Sequence, residues 1–538
     1  MGTVWRKLAP IHGRTGQMVP WLIAGAILIY FVWVALLGVQ TLGLEYDEAL
    51  LQHGAVHILN SRSEPTFAHD WGSWLRFAGR YWPLTVLPYA GAVKSYLVLV
   101  PFALFGPKLI VIRVISALLG AFGLFGIARL LRMQVSAAVA AAVALTLAMQ
   151  PAYLLHTLYD NSLFGFWMAS LGMISLALQA YIVRRTMLAA VCLGFTFGIG
   201  IWTRVNFVWF LASGLLAAVI AFRRRPLVPW RHLAAMTVSG LIAAMPMVVY
   251  QYRSRLGVLR FMATQRSELD SASLLRSRLR TLAETLIVND ENRAIWGEST
   301  VPYLLSYILA LILLLALLQC LLVNDRDDAQ LTAWKRASAL SFLFLALFLC
   351  TSRLPVRGHH LIALVPIGAV VVVLALKSLA ARWRFGKLLA TVVALIYFAS
   401  ALSWDVIAVK GVRTTGGVKA WSDAIGPLAD HLQSQYSGRE IKILDWGLQN
   451  NLYVLSNGRI QSREFFWGAT AEKTGFNRSW ADEIATGGVF LTNSVGNQSF
   501  PAATQGLLAA LNASQRPYQR VNFYERSGAP YAEIIEVR

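Results

Sequence analysis

Cysteine is this chain's scarcest residue, and acidic residues are few beside the basic ones. Three cysteines occur in 538 residues, Cys192, Cys320 and Cys350, and all three fall inside apolar runs. They can build no disulfide framework outside a membrane, and no zinc-ligand spacing exists among them. Asp and Glu number 27 against 48 Lys and Arg, and charged residues of both signs make up only 14% of the chain. That is too little charge to cover a soluble domain of this size. There is no tandem repeat and no low-complexity segment. No glycine-rich phosphate loop follows a strand-like run, which excludes a nucleotide-binding P-loop.

What the chain does have is apolar length. Hydrophobic residues make up 57% and mean hydropathy is +0.55, values that point to a polytopic membrane protein. In a soluble protein a formal charge of +21 would point to nucleic acid. Here the basic residues stand in short clusters between apolar runs: Arg129/Arg132, Arg184/Arg185, Arg223 to Arg225, Lys335/Arg336 and Arg382/Arg384/Lys387. This is the positive-inside pattern, and nucleic acid is not an expected partner.

About eleven apolar runs are long enough to cross a bilayer: 20–41, 108–131, 134–152, 161–183, 187–203, 205–222, 232–252, 301–323, 337–352, 359–380 and 386–408. The first is too long for a cleaved signal peptide and is read as a retained helix. Arg6, Lys7 and Arg14 precede it, so the N-terminus is expected to be cytoplasmic and the C-terminus extracytoplasmic. Residues 1–410 form the expected transmembrane part, with outer loops 42–107 and 253–300. Within the first loop, 47–60 and 93–105 read as helices lying along the membrane surface. The second loop is rich in arginine, for which phosphate binding and snorkelling to lipid headgroups are both open readings. From 411 to 538 short β-like runs (441–444, 488–491, 532–535) alternate with helical ones (418–436, 502–514). This predicts an extracytoplasmic α/β domain.

Acids and bases from distant positions are placed at the outer ends of these spans. Glu45-Tyr-Asp-Glu-Ala-Leu50 follows the first. Carboxylates at the mouth of a membrane helix are costly to desolvate and point to chemistry, although Asp47 also suits capping of a helix over 48–60. Asp160 sits between the third and fourth spans, and Arg204 in the tight turn Trp202-Thr-Arg-Val-Asn206. Arg357, His359 and His360 precede the tenth span, while Lys94 and Arg113 lie at outer helix ends. An acid can deprotonate a nucleophile, and Arg, Lys and His can hold a phosphate as it departs. His53 and His57 share a helical face at metal-ligand spacing, but an interfacial helix carrying two amphipathic rings is the preferred reading, and no metal is expected.

With these residues in place the chain resembles the GT-C glycosyltransferases. The resemblance is closest to the branch of protein O-mannosyltransferases and lipid A aminoarabinose transferases. It is carried by the acidic motif after the first span, by Pro88-Tyr-Ala-Gly-Ala-Val-Lys-Ser-Tyr-Leu97, by Phe105-Gly106 and by Arg113-Val-Ile-Ser-Ala-Leu-Leu-Gly120. The acid after the third span, the basic hairpin near 184 and the C-terminal soluble domain extend it. The fold implied is a GT-C type polytopic α-helical membrane protein with a C-terminal extracytoplasmic α/β domain. The activity implied is inverting transfer of a sugar from a polyprenyl-phosphate donor to an acceptor hydroxyl at the outer face of a bacterial inner membrane, without a cofactor. Asp47 matches the catalytic acid and Asp160 the second acid, while Glu48 shares the site or caps the helix. Arg204, Arg357, His359, His360, Lys94 and Arg113 are the candidate phosphate ligands. Many members carry a His-Pro-Pro-Leu-like stretch where this chain has Pro88 to Lys94, which leaves glycan, lipid and protein all open as acceptor.

A transporter or flippase of lipid-linked sugars is the alternative, since the same bases would bind phosphate transiently. Against it, the sequence shows no inverted repeat and no pair of Gly/Pro-broken helices. A membrane sensor would leave the acids of separate loops unexplained.

Overall fold

The structure, a computed structural model, describes residues 19–65, 73–133, 135–160, 163–222, 228–264, 270–283, 294–297, 303–325, 328–352, 356, 358–466 and 480–538. Helices dominate it. The first apolar run forms α1 (Val19–Leu37), followed by two short helices, α2 (Tyr46–Leu50) and α3 (His53–Asn60). Two small antiparallel hairpins come next, β1 (Trp74–Phe77) with β2 (Arg80–Pro83), and β3 (Thr85–Leu87) with β4 (Ala90–Gly91). Then come α4 (Val93–Phe105), α5 (Leu109–Leu131), α6 (Ala137–Ala148), α7 (Pro151–Leu158), α8 (Phe164–Arg184), α9 (Met187–Thr203) and α10 (Phe207–Phe222). The bundle continues through α11 (Trp230–Ala243), α12 (Met245–Arg253), α13 (Gly257–Thr264), α14 (Ser271–Ala283), α15 (Tyr303–Leu322), α16 (Ala329–Thr351), α17 (Gly358–Leu361), α18 (Leu364–Arg382) and α19 (Gly386–Thr415).

Five of these helices, α5, α8, α16, α18 and α19, are long and apolar enough to cross a membrane singly. Two bent pairs qualify jointly, α6 with α7 at 67° and α11 with α12 at 61°. The sequence treats 134–152 and 232–252 as single, unbroken spans, whereas the structure breaks both at proline, so the expected lack of Pro-broken helices no longer counts against a transporter. Pro151 opens α7 and Pro246 lies in the first turn of α12. Proline has no N–H to give the preceding turn and its ring clashes there, so the helix restarts in a new direction.

Small residues set how closely the helices approach. A Cβ on Gly194 would lie 2.1 Å from the Met236 carbonyl, and one on Gly198 would lie 2.1 Å from that of Gly240. Only glycine at both positions lets α9 lie directly on α11, the close contact that drives helix association in lipid. At the end of the bundle away from Asp47, Lys335 is fully buried and pairs with Asp325 at 2.6 Å. It also donates to Ser378 Oγ at 2.8 Å, which ties α16 to α18.

Gly416, at a left-handed φ of +66°, ends α19 and returns its N–H to Val412 O. The chain then builds α20 (Ile425–Gln435), β5 (Ile441–Ile443), α21 (Gln449–Leu455), β6 (Ser462–Glu464), α22 (Trp480–Ala485), β7 (Gly488–Asn493), α23 (Pro501–Ser514), β8 (Tyr518–Tyr524) and β9 (Pro530–Val537). The strands form one mixed sheet in the order β6-β5-β7-β9-β8, with β5 parallel to both β6 and β7. Its core packs Ile441, Ile443, Phe490, Leu491, Ile534 and Ile535 against Leu428, Leu432 and Leu507 of the flanking helices.

Candidate active site

The segment before Asp47 runs from α1 into a helix of only five residues. Its N-cap is Glu45, in extended backbone, whose carboxylate accepts from Asp47 N at 2.7 Å and Glu48 N at 3.0 Å. Asp47 is therefore not the cap but a member of the first helical turn, and it is half-buried. Glu45 is buried, and its carboxyl is pushed well above the ordinary range by desolvation, with the nearby Asp47 charge adding to the rise.

Glu48 and Asp160 are fully buried, and each has a basic partner from another helix. Arg113 of α5 meets Glu48 in a fork, Nε to Oε1 at 3.1 Å and Nη2 to Oε2 at 3.1 Å. Its other donors reach the carbonyls of Val39 (3.1 Å), Leu42 (2.9 Å) and Gly43 (2.6 Å). All five guanidinium N–H groups are thus engaged, and the cation lies 4.7 Å over the Tyr159 ring. Asp160, at a left-handed φ of 45°, accepts from Gly165 N at 2.6 Å. It pairs with Lys94 Nζ of α4 at 2.5 Å, and Lys94 also donates to Ser116 Oγ at 3.0 Å. Burial raises both carboxyls, and the paired cations oppose that rise. Lys94 and Arg113, which read in the sequence as phosphate ligands, thus face these carboxylates.

Arg204 is placed by backbone. It ends α9 in extended conformation and forms an antiparallel bridge with Ala90, while Val205 N donates to Tyr89 O at 3.0 Å. Trp202 Nε1 reaches Leu84 O at 2.9 Å. A Cβ on Gly91 would lie 2.0 Å from the Trp202 carbonyl, so glycine is what allows this approach. The Arg204 side chain is 6% exposed and lies 5.6 Å from the Tyr89 ring centre. It lines a small, half-open cleft with Asn206, His359, His360, Phe164, Trp167, Ile362 and Ala363. The rings of His359 and His360 are 4.1 Å apart on α17. Arg357 lies outside the described residues.

A single apolar cluster joins these parts: Leu50 and Leu51 after Asp47, Val86 to Val93 around the second hairpin, and Leu163 and Phe166 after Asp160, with Trp202 packed against it. The acids and bases of four separate loops thus share one end of the bundle. Arg253 donates to Trp74 O at 2.5 Å and Arg278 to Val356 O, so these two loop arginines brace neighbouring backbone. His53 and His57 pack on Trp74 at 5.8 and 5.1 Å, and bond the carbonyls of Leu50 and Ser63. Asn206 was not singled out in the sequence, although its place two residues after Arg204 in a tight turn is a signal that could have found it.

Neither a protein-family model nor a curated protein sequence matches the chain. Solved structures do. ArnT from Cupriavidus metallidurans in the apo state aligns at TM-score 0.60 and 14% identity over 98% of both chains. ArnT from Cupriavidus metallidurans bound to undecaprenyl phosphate aligns at TM-score 0.58 and 14% identity, covering 97% of this chain and 98% of that one. Over nearly its whole length the chain has the fold of ArnT, a GT-C fold, with a membrane helix bundle and a C-terminal sheet domain.

Proposed function

We propose that this chain transfers a sugar from a polyprenyl-phosphate donor to an acceptor hydroxyl, with inversion at the sugar carbon. The observation that carries this reading is the convergence of acids and bases at one end of the bundle. Asp47 is half-buried on α2, next to Glu48, which pairs with Arg113, and Asp160 pairs with Lys94. Leu50 and Leu51, just after Asp47, belong to an apolar cluster against which Trp202 packs, two residues before Arg204. A carboxylate so placed suits general-base work. The acceptor proton passes to Asp47, the acceptor oxygen bonds the sugar carbon, and the carbon–oxygen bond to phosphate breaks with its electron pair on the phosphate. Arg204, His359 and His360 stabilise that departing charge. Glu48 and Asp160 then serve to hold the site in shape. The likeness to an ArnT structure bound to undecaprenyl phosphate supports a polyprenyl-phosphate partner. The likeness to ArnT from Cupriavidus metallidurans supports a bacterial inner membrane, and the positive-inside pattern supports a cytoplasmic N-terminus with Asp47 and the α/β part on the far side.

Binding of radiolabelled polyprenyl phosphate to purified protein tests the donor half. Arg204→Ala removes a charge-assisted bond of about 1.5–3 kcal/mol, so affinity should fall roughly ten- to hundred-fold. Unchanged affinity would return Arg204 to a purely structural place in its turn.

A further inference from the structure

We propose that the C-terminal α/β part belongs to the catalytic apparatus, with Glu464 a positioning residue that acts on Asp47 through Tyr46. The proposal rests on the reading of Asp47 as the base. A helix of five residues has no stability of its own, so α2 takes its orientation from what grips it. On the membrane side the grip is the Arg113 fork on Glu48 and on the carbonyls of residues 39–43. On the other side it is the α/β part. The Tyr46 hydroxyl donates to Glu464 Oε1 at 2.8 Å, and the Tyr46 ring lies 4.7 Å from that of Trp446. Asn451 Nδ2 donates to Leu44 O at 3.3 Å and to Gly447 O at 2.9 Å, and Gly43 N donates to Trp421 O at 2.9 Å.

Tyr46 and Asp47 are adjacent on α2, so their side chains leave the axis about 100° apart. Fixing the Tyr46 hydroxyl therefore fixes rotation of the helix about its axis, and with it the direction of the Asp47 carboxylate. Glu464 is well suited to be the fixed point. It lies on β6, paired in register with Ile443 of β5, so its place is set by the sheet and not by the membrane helices. Burial, reinforced by the Glu464 carboxylate, keeps the Tyr46 hydroxyl protonated and able to donate. The α/β part thus carries information about its own state to the base across one hydrogen bond.

Five variants of the full-length protein test this: Glu464→Ala, Glu464→Gln, Tyr46→Phe, Asp47→Asn and the double variant Tyr46→Phe/Glu464→Ala, each measured for kcat, for polyprenyl-phosphate affinity and for melting temperature. Loss of orientation should lower kcat roughly 10- to 100-fold in Glu464→Ala and in Tyr46→Phe, with donor affinity unchanged. Glu464→Gln keeps an oxygen acceptor and should recover most of the rate. The double variant Tyr46→Phe/Glu464→Ala should be no slower than either single one, because both remove the same bond. Wild-type kcat in both single variants, with Asp47→Asn inactive, overturns the coupling and leaves the base in place. An active Asp47→Asn overturns the base assignment instead. Equal losses of kcat, donor affinity and melting temperature that Gln does not rescue would make the bond purely structural, and overturn the proposal.

Discussion

Replacing Arg113 by methionine separates two accounts of a buried cation. In the structure Arg113 is 0% exposed and gives two bonds to Glu48 and three to the carbonyls of Val39, Leu42 and Gly43. Methionine fills much of the same volume but leaves Glu48 as an unpaired buried carboxylate. Breaking a buried pair from one side costs about 3–5 kcal/mol, and each stranded carbonyl adds about 1 kcal/mol or more unless water reaches it. Against a total stability of about 5–15 kcal/mol that is a large loss. Arg113→Met should therefore melt well below the wild type, and activity should fall with stability. The partner variant Glu48→Gln/Arg113→Met removes the stranded charge and should recover part of the loss, but not all, because the three carbonyls stay unmet. The assay is thermal melting of the purified protein in lipid nanodiscs, with donor affinity measured in parallel. A melting temperature within error of wild type, combined with a clear loss of donor affinity, would make Arg113 a donor ligand and not a structural partner of Glu48.

Three further variants follow from the same burial. Lys94→Met strands Asp160, which is also fully buried, and should cost about 3–5 kcal/mol. Lys94→Met/Asp160→Asn should regain most of it in the same melting assay, and no recovery would mean that the pair is not what holds Asp160. Glu45→Gln keeps an oxygen for the Asp47 and Glu48 amides but cannot ionise. Because the Glu45 carboxyl is raised above its ordinary 4.5, its stabilising contribution is full below that value and is lost as pH rises through the folded-state value. The variant should therefore gain melting temperature relative to wild type as pH rises above the ordinary carboxyl value, and a gap that stays constant as pH rises would contradict the assignment.

The sequence made the helical bundle legible because apolar length and basic clusters are properties of contiguous residues. All the runs expected as spans carry helix, and the runs at 441–444, 488–491 and 532–535 became β5, β7 and β9. What it hid is pairing. Lys94, Arg113 and Arg204 look alike as bases at helix ends, and only packing reveals that the first two meet carboxylates 66 and 65 positions away while Arg204 lines a cleft. Glu45, Asp47 and Glu48 are equally alike in sequence. The structure separates them: Glu45 caps α2, Glu48 pairs with Arg113, and Asp47 is half-buried in the first turn. Glu464 carried no local signal, since its relevance lies in a contact 418 positions away. Pro151 and Pro246 were visible, and their helix-breaking meaning was overridden by the apolar runs that contain them.

The central claim is transfer from a lipid phosphate with Asp47 as base. It is tested most directly by incubating the purified protein, in nanodiscs, with a polyprenyl-phosphate sugar radiolabelled in the sugar and with candidate glycan, lipid and protein acceptors. The account predicts that label moves to an acceptor while free polyprenyl phosphate appears in equal amount. It also predicts that Asp47→Asn still binds donor but abolishes both products. Turnover by Asp47→Asn at the wild-type rate, or label that crosses a sealed proteoliposome membrane while remaining joined to its lipid, would contradict it.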